Sequence, residues 1–181
     1  AMKWAIAGKG GVGKTTLSAG LARALAAGGR RVVLIDADPD PNLAGALGLP
    51  NDDQRLRPLV ESKELIDERI GTEGLVRLNP DVSDIPAQCQ VTVAPGLPRM
   101  VGGAVQEGGG GCACSANVLV KSLIQHMLLG DDQDVLVDME AGVEHLGRAT
   151  VGRVDALLAV AEPTARSVET VGRIRRLASQ I

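Results

Sequence analysis

The sequence predicts an α/β protein, a doubly wound and mainly parallel sheet with helices on both faces, in a single domain over residues 1–181. Three observations predict it. Short apolar runs at residues 3–7, 31–36, 134–138 and 154–161 have the length and aliphatic content of buried parallel strands. Helical stretches separate them, and strands that alternate with helices wind a sheet on both sides. The first run delivers a glycine-rich turn that opens directly into a long Ala/Leu-rich helix.

That turn is Gly8-Lys9-Gly10-Gly11-Val12-Gly13-Lys14-Thr15-Thr16. It fits G-x-x-x-x-G-K-[ST] in the strand-to-helix setting that the motif requires, so it reads as a phosphate-binding loop. Glycines let backbone N–H groups turn inward on phosphate oxygens, and the helix dipole adds to their pull. Lys14 is placed to reach the β- and γ-phosphates of a nucleotide, and the Thr15 hydroxyl to ligate Mg²⁺.

Composition bounds the rest. With 181 residues, 45% of them hydrophobic, the chain can bury one sizeable core. It has no Tyr or Phe, and Trp4 is its one aromatic residue, so the packing must be aliphatic. A formal charge of −3 and a pI near 5.4 argue against a dominant nucleic-acid surface. No apolar run approaches the roughly 20 residues needed to span a bilayer, and the first residues lack a signal-peptide pattern. A cytoplasmic protein without membrane or nucleic-acid partners is expected. In that setting the three cysteines read as thiols or metal ligands rather than as a disulfide framework.

Taken in order, residues 13–27 form the first helix, with Leu17, Leu21 and Leu25 at intervals of four and Gly28-Gly29 as its stop. Residues 31–36 form a strand crossing over to a parallel neighbour. It ends in Asp36-Ala37-Asp38-Pro39-Asp40-Pro41-Asn42, carboxylates at the strand edge where ligands sit in such sheets. A carboxylate there can hold magnesium through water or orient the attacking water. A short helix, a Pro-broken connection and a helix at 58–70 follow; residues 75–78 and 91–94 are strand candidates, with Cys89 alone between them.

Four glycines then precede Cys112-Ala113-Cys114, with Ser115 as the expected N-cap of an apolar helix to about residue 129. Thiols near a helix N-terminus ionise more easily, which favours metal binding. Two thiolates leave a four-coordinate ion half satisfied. A dimer could supply four sulfurs, suited to Zn²⁺, Ni²⁺ or Cu(I). The strand at 134–138 ends in Asp138, expected in the magnesium shell, and Gly142 follows in a segment able to contact the γ-phosphate. His126 reads as a structural histidine, and residues 167–181 as a basic amphipathic helix.

The loop G-K-G-G-V-G-K-T-T resembles the deviant Walker A motif of the MinD, ParA and nitrogenase-iron-protein group of dimeric ATPases. The resemblance implies that Lys9 crosses a homodimer interface to the partner's nucleotide, that Asp38 positions the attacking water with Asp36 in support, and that Asn42 belongs to a moving switch. The stretches D-M-E-A-G-V-E-H-L-G-R, G-C-A-C and E-P-T-A-R-S narrow it: they are similar to the CooC-type nickel-insertion ATPases that mature carbon monoxide dehydrogenase. That implies nickel, or zinc, at Cys112 and Cys114, and carbon monoxide dehydrogenase as client. Similar proteins continue past residue 181 into further strands and an adenine-contacting segment, so the C-terminal part of the usual fold is expected to be missing. Two other readings stay open. An iron–sulfur reductase would carry a cluster cysteine where this chain has Ala141, and a ParA- or MinD-like positioning ATPase would leave Cys112 and Cys114 without a role.

Overall fold

The computed structural model describes residues 1–38, 42–50, 63–71, 77, 79–86, 90–93, 98–102, 111–129, 133–139 and 153–179. Among them, strands β1 (Lys3–Gly8), β2 (Val32–Asp36), β3 (Val91–Thr92), β4 (Arg99–Gly102), β5 (Asp134–Asp138) and β6 (Ala156–Val160) form one sheet in the order β3-β4-β2-β5-β1-β6. Every pairing is parallel except that of β3 with β4. The helices are α1 (Lys14–Ala27), α2 (Leu43–Ala46), α3 (Lys63–Ile70), α4 (Gly111–Leu129) and α5 (Ala165–Ala178).

Successive strand residues face opposite sides of a sheet, and the two buried clusters follow that alternation. Ile6, Leu34 and Leu136 pack with Ala19 and Ala22 of α1 and with Leu43 and Leu47 around α2. On the other face Ala5, Val33, Val135 and Val137 meet Ile66 and Ile70 of α3, Leu119 and Leu123 of α4, and Ile174 of α5. The doubly wound architecture is the expected one, and its core is aliphatic. α1 buries Ser18, Ala19 and Ala22 rather than its leucine ladder, and Leu17 is 42% exposed. Small side chains on that stripe let the helix axis approach the sheet closely.

Four expectations change. β2 does not pair with β1; β5 lies between them, with Val135 in register with both Lys3 and Val33. All five residues of β5 are buried, so a strand on each side satisfies its backbone. The edge strand β3 pairs antiparallel with β4, and β4 is a strand that the sequence did not suggest: Arg-Met-Val-Gly is too short and mixed to show a period. α4 begins at Gly111, four residues before Ser115, so Ser115 is inside the helix and not its cap. Nothing in Cys-Ala-Cys-Ser breaks a helix, which therefore runs back to the glycines. α5 begins at Ala165, where Thr164 caps it by accepting from the Ser167 N–H at 3.3 Å. Residues 58–62, most of 75–78, residue 94 and Cys89 lie outside the described residues. No helix among the described residues is long and apolar enough to cross a membrane.

Candidate functional site

The carboxyl ends of β1, β2 and β5 lie side by side, with Ile6 and Asp36 both register partners of Asp138. The phosphate loop leaves this edge at Gly8. Its φ of 154° and the Val160 carbonyl oxygen, into which a Cβ would run, admit only glycine. Gly13 precedes α1 in a left-handed conformation (φ 92°) and accepts from the Leu17 N–H at 2.9 Å, so no side chain caps the helix. The helix N-terminus is left facing the loop, which is where an anion is held.

Lys14 is the first residue of α1 and only 7% exposed. Its Nζ donates to the Lys9 carbonyl oxygen at 3.4 Å, so the ammonium is folded back under the loop. Asp138 is 1% exposed. Its Oδ1 accepts from Ser18 Oγ at 3.0 Å, and the Thr15 hydroxyl also donates to it. Burial raises the Asp138 pKa above the ordinary carboxylate value, against the pull of Thr15, Ser18 and the Lys14 charge. Asp36, also 1% exposed, accepts from the Leu43 N–H at 3.1 Å and the Asp38 N–H at 3.3 Å. Burial pushes its carboxyl up to about 7, and the charges of Asp138 and Asp38 act in the same direction. Two buried strand-end carboxyls at one sheet edge, with Lys14 acting on Asp138, are a set of oxygen donors that fits a hard divalent cation.

Lys9 lies on the other side of the loop, 3.6 Å from Glu162 Oε1 at the end of β6. Both side chains are well exposed, so this pair contributes at most about 1 kcal/mol and holds Lys9 lightly. Glu162 is itself placed by the turn into α5, where its N–H donates to Ser167 Oγ at 3.1 Å and its carboxylate accepts from Thr164 Oγ1 at 3.3 Å.

The structure thus brings together Gly8 to Thr16, Asp36, Asp38 and Asp138 at one sheet edge. Asn42 stands just before α2, four positions beyond Asp38. Cys112 and Cys114 fall in the first turn of α4, on a helix packed against the opposite face of the sheet from α1. Asp40, Gly142, Glu144 and His145 lie outside the described residues. Sequence reasoning missed Ser18 and Glu162. The signal for Ser18 was its place four residues after Lys14, which puts it one turn below the loop on the same helix face.

Residues 4–180 match the CobQ/CobB/MinD/ParA nucleotide binding domain. The carbon monoxide dehydrogenase accessory protein CooC of Rhodospirillum rubrum is 45% identical over 185 residues, spanning 99% of this chain and 70% of that protein. An uncharacterised ATP-binding protein of Methanocaldococcus jannaschii is 39% identical, again over 99% of this chain and 70% of its own. Among solved structures, a chain of the MinC:MinD cell division protein complex of Aquifex aeolicus superimposes with a TM-score of 0.62 at 28% identity, over 99% of this chain and 64% of that one. Cobyrinic acid a,c-diamide synthase of Mycobacterium smegmatis, bound to an ATP analogue and magnesium, shares the fold with a TM-score of 0.67 at 22% identity, over 99% and 67%. The chain spans about two thirds of the length of these proteins. It belongs to the CobQ/CobB/MinD/ParA family of nucleotide-binding domains, as a CooC-type member.

Proposed function

We propose that this chain is the ATP-hydrolysing domain of a carbon monoxide dehydrogenase maturation factor. It binds MgATP, closes as a homodimer, and carries nickel, its cargo, on Cys112 and Cys114 from each subunit. The observation that carries the ATPase part is the contact of Thr15 with Asp138 beside the buried Lys14, at the end of a helix whose N-terminus faces the loop. Hydroxyl and carboxylate oxygens suit a hard cation such as Mg²⁺. Thr15 and Asp138 would hold such an ion, which would supply positive charge against the negative charge that develops on the phosphates. Lys14 then turns from the Lys9 carbonyl to the β/γ-phosphates, and Asp38 orients the attacking water. The client assignment comes from the 45% identity to CooC. A MinD-like positioning role is supported by the 28% identity to a chain of the MinC:MinD complex, yet it leaves the cysteine pair without a use.

Lys9 exchanges Glu162 for the partner's nucleotide when the dimer closes. Replacing Lys9 with Ala should leave ATP affinity within about threefold of wild type, since only an exposed charge is lost. The same change should prevent dimerisation with MgATP in sedimentation velocity, and an undiminished, fully active dimer would remove Lys9 from the interface.

Metal transport is tested by titrating Ni²⁺ and Zn²⁺ into oxygen-free protein. Two thiolates per chain predict one ion per two chains and affinity that falls as pH drops, because the ligands must lose protons. The Cys112→Ala/Cys114→Ala double variant should lose at least about a hundredfold in affinity and keep its basal ATPase activity. One ion per chain in a protein that stays monomeric, or undiminished affinity in the double variant, would end the shared-site reading.

A further inference from the structure

Ser18 is the fourth residue after Lys14 on α1 and is fully buried, with 0% of its surface exposed. Its hydroxyl lies between two acceptors, the Lys14 carbonyl oxygen at 2.9 Å and Asp138 Oδ1 at 3.0 Å. A hydroxyl has one proton and cannot donate to both. The two acceptors differ in need. The Lys14 carbonyl stands at the start of α1, where the helix supplies it with the backbone N–H of the residue one turn on. Serines inside helices commonly add a donation to that same carbonyl, where it satisfies nothing new. Asp138 is a buried carboxylate at the end of β5, and a hydrogen bond to an ionised acceptor is about twice as strong as one between neutral groups. The Ser18 hydroxyl therefore donates its hydrogen bond to an ionised Asp138 in preference to the Lys14 carbonyl.

We propose that Ser18 is a positioning residue for the nucleotide's metal: its hydroxyl holds Asp138 by Oδ1 and fixes how the carboxylate meets the magnesium shell. The proposal rests on the reading of Asp138 as the residue behind that shell. It also gives the loop and strand β5 a shared part. The helix turn that begins with the phosphate-binding lysine and the carboxylate that steadies the cation are joined through one side chain. Fixing the carboxylate before the ion arrives removes the cost of ordering it, the general gain from holding ligands in place by a surrounding hydrogen bond. Ser18 touches neither nucleotide nor metal in this arrangement. Its effect is transmitted entirely by Asp138.

The test uses the full chain, titrating ATP by calorimetry at a series of free Mg²⁺ concentrations and again in excess EDTA. Ser18→Ala should raise the Mg²⁺ concentration giving half-maximal tight binding by roughly tenfold. ATP affinity in EDTA should stay within about twofold of wild type, because the loop and Lys14 do not depend on the hydroxyl. Ser18→Cys, similar in size but a weaker donor, should shift the midpoint the same way by less, and it carries the test if Ser18→Ala does not fold. Asp138→Asn is the control. If it shifts the Mg²⁺ midpoint and the Ser18 variants do not, Ser18 is only a packing residue and the proposal is overturned. If Asp138→Asn itself leaves the midpoint unmoved, the reading of Asp138 fails first. A fall in melting temperature for Ser18→Ala with an unchanged Mg²⁺ midpoint likewise overturns the proposal.

Discussion

Lys14→Ala is expected to reduce the rate of ATP hydrolysis at least about a hundredfold, the scale lost when one group that stabilises developing charge is removed from a preorganised site. The geometry makes the loss larger than that of a surface cation. Lys14 is 7% exposed and is the positive group that acts on Asp138, whose pKa burial already raises. Its removal leaves Asp36, Asp38 and Asp138 facing the incoming phosphates with less opposing charge. ATP affinity should therefore fall as well, which single-turnover hydrolysis and calorimetry would separate. A variant retaining a tenth of wild-type turnover would show that the loop's backbone, not Lys14, neutralises the phosphates.

A second large effect should appear in stability against pH. In the nucleotide-free chain Asp36 titrates near 7, raised chiefly by burial, whereas an unfolded aspartate titrates near 4. Between those values the folded chain keeps a proton that the unfolded chain has released, so this group's contribution to stability falls as pH rises through that window. At about 1.4 kcal/mol per pH unit, the full loss is on the order of 4 kcal/mol above pH 7. Asp36→Asn is uncharged at every pH and should remove that slope. One of the two N–H donors now held by Asp36 loses its acceptor, at about 1–3 kcal/mol, so the variant starts less stable at pH 4.5 and gains on wild type towards pH 8. Urea melts at both pH values measure the difference, and parallel profiles would show that Asp36 is ionised in the folded chain throughout.

The parts of this site legible in the sequence are those made by consecutive residues. Gly8 to Thr16 carry their own turn, helix start and lysine, and Asp138 ends a run apolar enough to be a buried strand, so each announces itself locally. What escaped depends on residues far apart in the chain. The insertion of β5 between β1 and β2 is a choice of partners among equally apolar strands. Short β4 becomes a strand only because β2 offers it a parallel edge from Val33 to Asp36. Ser18 looks like an ordinary helix residue until β5 places a carboxylate beside it. Glu162 shows no link to Lys9 until β6 is laid along β1, with Gly8 opposite Val160. The early start of α4 is a different kind of miss, since a serine before an apolar run suits either a cap or a helix interior.

The central place of β5 also decides when the site can exist at all. β1, the phosphate loop, α1 and β2 lie within the first 36 residues, yet the strand that bridges β1 and β2 ends only at Asp138. A β-α-β unit normally closes on itself; here its two strands have a gap between them until about a hundred more residues are available, and that long-range closure is entropically costly and slow. On a ribosome adding about 5–20 residues per second, the N-terminal segment waits several seconds with the apolar edges of β1 and β2 unpaired. During that interval Asp138 is absent, so on the proposed reading a nascent chain presents the glycine loop without the carboxylate that would steady the nucleotide's metal. On that reading the metal's share of the stabilisation by nucleotide begins only after β5 has docked.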